Sequence, residues 1–311
     1  MTRGRAACPG GPAGLSFIAD FPMDILLQIL FSGCAVGMIY AVIAFGYQLT
    51  FATSGTLNFG QGEALAVGAL VGFSIVAHVN YWLMVPLVLV FGALYGVAVE
   101  RAGVRPSLKA NSEGWIMATI AIGIIAKNVA ENIWGKDDLK FQAPVTDTAF
   151  QVAGANLLPM EILVVAGALL LMLLIELFNR RSIYGKAVIA TASDRDAAGL
   201  MGINTSLVIT FSYALSSATA AFAGVLVAPL TMVGAGMGAS LGLKAFAVAI
   251  IGGLTSGMGA IVGGLILGIS ETATGYYIST GYKDVPGLVL LLLVLAIKPA
   301  GLFGKTLIKK V

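Results

Sequence analysis

From residue 25 onward, long apolar runs alternate with short polar interruptions. The runs cover roughly 25–51, 63–80, 82–100, 115–134, 158–178, 208–231, 244–254, 258–278 and 286–298. Most suit helices crossing about 30 Å of hydrocarbon, a span that takes about 20 residues. Two do not: 244–254 is too short to span alone, and 286–298 is also short. The pattern predicts an all-α polytopic membrane protein of about eight or nine transmembrane segments, with discontinuous or re-entrant helices. The first run is interrupted after Phe51 by "ATSGTLNFGQG". A second glycine-rich stretch, "IIGGLTSGMGAIVGG" at 250–264, follows the short run and predicts a broken or re-entrant helix there.

Composition strengthens the membrane assignment. Apolar residues make up 58% of the chain and charged residues 11%, whereas a soluble domain is nearer ~25% charged. A soluble fold of 311 residues has no way to hide that much apolar surface, but a bilayer accepts it. The net charge of +3 says little; its distribution says more. Eleven of the 18 basic residues fall in three places. Arg101, Arg105 and Lys109 follow the third run, Arg180, Arg181, Lys186 and Arg195 follow the fifth, and Lys298, Lys305, Lys309 and Lys310 follow the last. The positive-inside rule makes these loops cytoplasmic. The N-terminus is then outside and the C-terminus cytoplasmic. Residues 1–22, rich in Gly and Pro, have no apolar core of signal-peptide length. They are expected to be a disordered leader or a mis-assigned start, with 23–311 forming one transmembrane domain.

Ionisable residues at membrane depth are costly and mark candidate function. Glu63, the pair Lys127 and Glu131, Lys244 and Glu271 qualify. Lys127 and Glu131 are four apart on one helix, so mutual pairing is expected. Lys244 and Glu271 lie toward the outer interface. Glu63 differs, because it stands with Asn58 and Gln61 among Gly55, Gly60 and Gly62. Glycines permit a helix to break, and broken backbone at membrane depth is tolerated where it is buried in protein or faces a water-filled cavity. Asn58, Gln61, Glu63, Thr255 and Ser256 are therefore candidates for a solute path. The alternative, that they satisfy one another in a helix contact, stands beside it. The pairs Gly33/Gly37, Gly68/Gly72, Gly92/Gly96 and Gly264/Gly268 fit helix-packing faces.

The longest polar stretch between the basic flanks is 179–207, "NRRSIYGKAVIATASDRDAAGLMGINTSL". Ser193 is placed to cap a short helix, with Asp194 and Asp196 in its first turn. Ala197 and Ala198 offer a small face, and Gly202 a C-terminal stop. "DRDAAGLMGIN" resembles the cytoplasmic coupling loop of ABC-importer permeases. "ASDRDAAGLMGINTSLVI", "LNFGQGE", "AVAIIGGLTSGMGAIVGGLILG" and the ending "KPAGLFG" together resemble the branched-chain amino-acid importer permeases, in the right order and on the right sides. Two positions depart from that family's pattern: Asp196 stands for the glutamate of the coupling loop, and Gln61 stands where histidine is frequent.

The resemblance implies a permease subunit in the bacterial inner membrane. It moves a small solute, such as a branched-chain amino acid, with ATP hydrolysed by partners. Those partners are two ATPase subunits, a second and commonly different permease subunit, and a periplasmic solute-binding protein. Ser193, Asp194, Asp196, Ala197, Ala198 and Gly202 would form the ATPase-coupling helix. No cofactor is expected on this chain, and it is not expected to be an enzyme. "GLFGKT" at 301–306 fails as a phosphate loop, because the required first glycine falls on Pro299. No catalytic cluster, metal site or nucleic-acid motif is visible, with a lone His78 and only Cys8 and Cys34 as thiols. The competing function is a stand-alone channel or secondary carrier for a small amide, urea or organic acid.

Overall fold

The computed structural model describes residues 23–110, 113–142, 145, 149–152 and 154–304. The expected leader 1–22 and the lysines at 305, 309 and 310 lie outside the described residues. Every predicted apolar run becomes a helix. These are α1 (Met23–Ser54), α2 (Gln61–Val76), α3 (Tyr81–Val99), α5 (Trp115–Trp134), α6 (Pro159–Arg181), α9 (Thr205–Val227), α10 (Met237–Gly252), α11 (Gly257–Tyr277) and α12 (Val285–Ile297). Three short helices complete the set: α4 (Arg105–Lys109), α7 (Ile183–Ser193) and α8 (Arg195–Leu200). Among the described residues, seven helical stretches are long and apolar enough to cross a membrane. The two shorter apolar helices are α2 and α10, at 16 residues each.

Burial sorts the helices. α1 and α9 are mostly enclosed, whereas α5 and α12 turn Ile124, Ile125, Leu292 and Leu293 outward, as lipid-facing helices do. α1 and α11 are held by close backbone contact, because helices in lipid gain more from tight van der Waals packing than from excluding water. A Cβ on Gly37 would lie 2.5 Å from the Gly264 carbonyl oxygen, and one on Gly268 would lie 2.4 Å from that of Gly33, so α1 and α11 meet backbone to backbone. On the other side of the bundle, a Cβ on Gly96 of α3 would lie 2.2 Å from the Tyr213 oxygen of α9. The glycine pairs singled out in the sequence are thus packing faces.

One end of the bundle gathers the ends of α3, α6, α10 and α12 with the beginnings of α9 and α11. There Arg105 bonds Thr210, Gly185 presses on Asn179, and Phe303 bonds Gly252. The described basic residues of all three flanks stand at this end. The opposite end carries a two-stranded antiparallel hairpin, β1 (Phe150–Val152) and β2 (Ala155–Leu157). It is tied to the start of α1 by the Asn156 amide donating to Gln28 Oε1 at 2.8 Å.

Candidate functional site

The first break begins where Gly55 adopts φ +69°, a left-handed conformation that ends α1 and that a side chain would strain. Helix resumes at Gln61. The connecting residues are pinned at each step. Thr56 Oγ1 and Tyr213 Oη of α9 are 2.7 Å apart. Asn58 Oδ1 accepts from the Gly60 amide at 3.1 Å, and Asn58 Nδ2 donates to Gln61 Oε1 at 3.3 Å. Gln61 Nε2 donates to the Ser216 carbonyl at 2.9 Å. The Ser216 hydroxyl shares its one proton between the Gly46 carbonyl at 2.7 Å and Gln61 Oε1 at 3.0 Å. Asn58 and Gln61 are fully buried. Their polar groups hold α1, α2 and α9 together, and contact with a solute would require breaking this network.

Phe59 and Glu63 face the other way and keep part of their surface. Phe59 stacks on Trp115 of α5, with ring centres 6.3 Å apart, and touches Phe246 of α10 at 5.5 Å. The Glu63 carboxylate lies over Gly123 of α5, one turn before Lys127, which pairs with Glu131 at 3.8 Å as its spacing predicts. Of the three polar candidates in the first break, Glu63 is the one with surface left to offer. Beside it the N-terminal turns of α2 and α10 cross in direct contact, since a Cβ on Gly62 would sit 2.1 Å from the Gly238 oxygen.

The second break turns at Gly253, φ +101°. Ser256 restarts the helix as N-cap, its Oγ accepting from the Gly259 amide at 3.3 Å. Gln48 Nε2 on α1 bridges the Gly253 and Ser256 carbonyls at 3.1 and 2.8 Å. The segment after α12 closes the end of α10, with the Leu302 and Phe303 amides donating to the Ile251 and Gly252 carbonyls at 2.8 and 3.0 Å. Thr255 is exposed, and with Ser256 it borders a cavity of about 620 Å³ between α6 and α11, whose wall includes Phe45, Met172, Arg180 and Phe303. The structure does not merge the two breaks into one polar lining. Both lie against a single turn of α1: Gly46 leaves room for Gln61 of the first, Gln48 bonds the second, and the Tyr47 hydroxyl donates to the Gly242 carbonyl of α10 between them at 3.4 Å.

At the basic end, the 179–207 insert folds as two helices in series. Ser182 caps α7 by accepting from the Tyr184 amide. Asp194 caps α8, its Oδ1 accepting from the Ala197 amide at 2.9 Å. This corrects the cap assigned to Ser193. That residue is still inside α7, where its hydroxyl turns back to the Ile189 carbonyl at 3.0 Å. Asp196 sits exposed in the first turn of α8. At the far end Gly202 has φ +86°, with Gly202 N–H to Gly199 O at 3.0 Å and Ile203 N–H to Ala198 O at 3.1 Å, the paired bonds of a Schellman stop. Ala198 packs inward, while Ala197 and the large side chains of Ile183, Tyr184, Leu200 and Met201 are exposed.

One cluster here escapes sequence reasoning. Glu100, buried, receives Arg105 Nε at 2.9 Å and Nη2 at 3.2 Å, while the Thr210 hydroxyl lies 2.8 Å from Arg105 Nη2 and 3.1 Å from the carboxylate. The residues are five apart, which in an α-helix points them to different faces. A π-helical turn over Glu100–Val104 brings them together. A five-residue spacing of opposite charges at the end of a long helix was the available signal.

A family model described as the permease component of branched-chain amino acid transport systems matches residues 29–297. The permease protein LivH of Escherichia coli K12, named for high-affinity branched-chain amino acid transport, is 34% identical over 302 residues, covering 92% of this chain and 97% of LivH. LivH of Salmonella typhimurium is 33% identical with the same coverage. The permease protein BraD of Pseudomonas aeruginosa, of the same kind of system, is 30% identical over 92% of this chain and 98% of BraD.

Proposed function

The chain belongs to the branched-chain amino-acid transport permease family, and we propose that it is the membrane-spanning subunit of an ABC importer for a branched-chain or similar small amino acid. Two ATPase subunits bind its basic end, a second permease subunit completes the passage, and a solute-binding protein delivers cargo at the opposite end. Nine apolar helices then cross the bacterial inner membrane, with α2 and α10 as short crossings sheltered by their neighbours. The N-terminus is outside and the C-terminus cytoplasmic.

The observation that carries this reading is α8. A helix of six residues is too short to persist alone, yet this one is capped at both ends and shows Leu200 and Met201 to solvent. That is the form of a rigid knob meant to enter a groove on another protein. ATP-driven force reaches the membrane through it. Asn204 caps α9 two residues after Gly202, so a push on α8 passes directly into the buried helix that holds Gln61.

The test replaces Ala197 with Trp, or Leu200 and Met201 with Asp, in the assembled importer. Expected is normal membrane insertion, loss of ATPase co-purification or of ATPase stimulation, and loss of uptake. Uptake that continues without ATPase subunits would instead establish the stand-alone carrier.

A further inference from the structure

The outer half of the bundle, opposite the basic end, contains a cleft of about 510 Å³ between α1, α6, α10 and α11. Its chemistry is mixed in a particular way. Lys244 reaches in from α10 and Glu271 from α11; they form a salt bridge, and the Tyr40 hydroxyl donates to the other carboxylate oxygen of Glu271 at 2.7 Å. Glu161, almost buried in the first turn of α6, accepts from the Ser32 hydroxyl at 2.7 Å. Lys283 stands at the rim. The charged lining therefore totals two cations and two carboxylates. Val36, Ile39 and Leu241 give one aliphatic stretch of wall, beside the hydroxyl-bearing Thr231, Thr272 and Thr280.

We propose that this cleft receives the solute as a zwitterion on its way in from the outer face. The inference rests on the importer reading and adds a place to it. A net-neutral lining with separated charges beside an aliphatic wall matches a molecule that carries an ammonium, a carboxylate and a branched side chain. It repels a simple anion or cation, because either leaves one lining charge unpaired in a low-dielectric site.

The second partner of Lys244 shows how the site opens. Lys244 Nζ also contacts Asp284 at 2.8 Å, and the Asp284 side chain is 75% exposed, against 7% for Glu271. An exposed carboxylate gains little from its ion pair and returns to water at low cost. A solute carboxylate can take its place on Lys244 while Glu271 stays paired, so the buried charge is never stranded. The solute ammonium meets Glu161, whose carboxylate keeps lone pairs beyond those given to Ser32 and the Leu158 amide.

Two variants with opposite expected signs test the site in the intact importer reconstituted in proteoliposomes, with leucine as probe. Asp284→Asn removes the competing carboxylate from an exposed position and is expected to lower the KM for leucine several-fold. Lys244→Met removes the receptor for the solute carboxylate and is expected to raise it about tenfold, the loss of one charge-assisted hydrogen bond. A leucine analogue lacking only the ammonium is expected not to compete with leucine in wild type, because a lone anion leaves a lining carboxylate unmatched; competition equal to that of leucine itself overturns the zwitterion assignment. A purely structural ion pair would lower stability in both variants and move KM in neither. An unchanged KM in Asp284→Asn overturns the proposal, including where Lys244→Met fails to accumulate. Wild type that carries no leucine overturns the importer reading first; wild-type uptake with an unmoved Asp284→Asn overturns the cleft alone.

Discussion

At the level of single residues, the polar groups of the first break act as fasteners. Gln61 is the clearest case: its amide joins Ser216 on one helix, and the space it fills is available because residue 46 has no side chain. A Cβ on Gly46 would lie 2.2 Å from Gln61 Nε2. Gly46→Ala is therefore expected to destabilise the protein by about 1–3 kcal/mol, the range for overpacking a filled core. Gly46→Ala combined with Gln61→Ala should recover part of that loss. Thermal unfolding of the detergent-solubilised protein checks both, and equal losses in the single and double variants would refute the fastener role. The sequence showed that Asn58 and Gln61 were exceptional. It left open whether they faced a solute or one another, because that depends on Ser216, 155 residues away.

Among the elements, the π-helical turn at the end of α3 has the largest energetic consequence. It swings Arg105 back to Glu100 and clasps both to Thr210 in the second turn of α9. Arg105→Ala leaves a buried carboxylate unpaired and should cost about 3–5 kcal/mol. Thr210→Val keeps the ion pair and should cost only about 1 kcal/mol. Comparing chemical or thermal denaturation of the two checks the order; a reversed order would remove the clasp as the reason. Sequence alone read Arg105 as a marker of sidedness, since the distance between these charges is set by a helix type that propensity does not reveal. α7 escaped for a similar reason. Its β-branched sequence has weak helix preference, and it is fixed by Ser182 and by Gly185 lying against Asn179. Seven of the nine apolar runs were legible because hydrocarbon thickness imposes length. α10 begins seven residues before its apolar run, with "MGASLGL" close-packed through Gly238 and Gly242.

For the whole molecule, the two ends differ in charge and in construction. The basic end carries the short helices α7 and α8, and the opposite end holds the β-hairpin and the cleft. If the positive-inside rule governs here, single cysteines at Ser279 and Ser193, in a background without Cys8 and Cys34, should react differently with a membrane-impermeant maleimide. Ser279→Cys is expected to label in intact cells, and Ser193→Cys only after the membrane is opened. The opposite pattern would invert the topology.

The turn of α1 at residues 46–48 meets the first break where Gly46 makes room for Gln61, bonds α10 through Tyr47, and bonds the second break through Gln48. In mechanical terms it is a shared spindle with three cranks. Rotation of α1 about its own axis carries all three attachments together, so the bundle has fewer independent motions than its two discontinuities suggest.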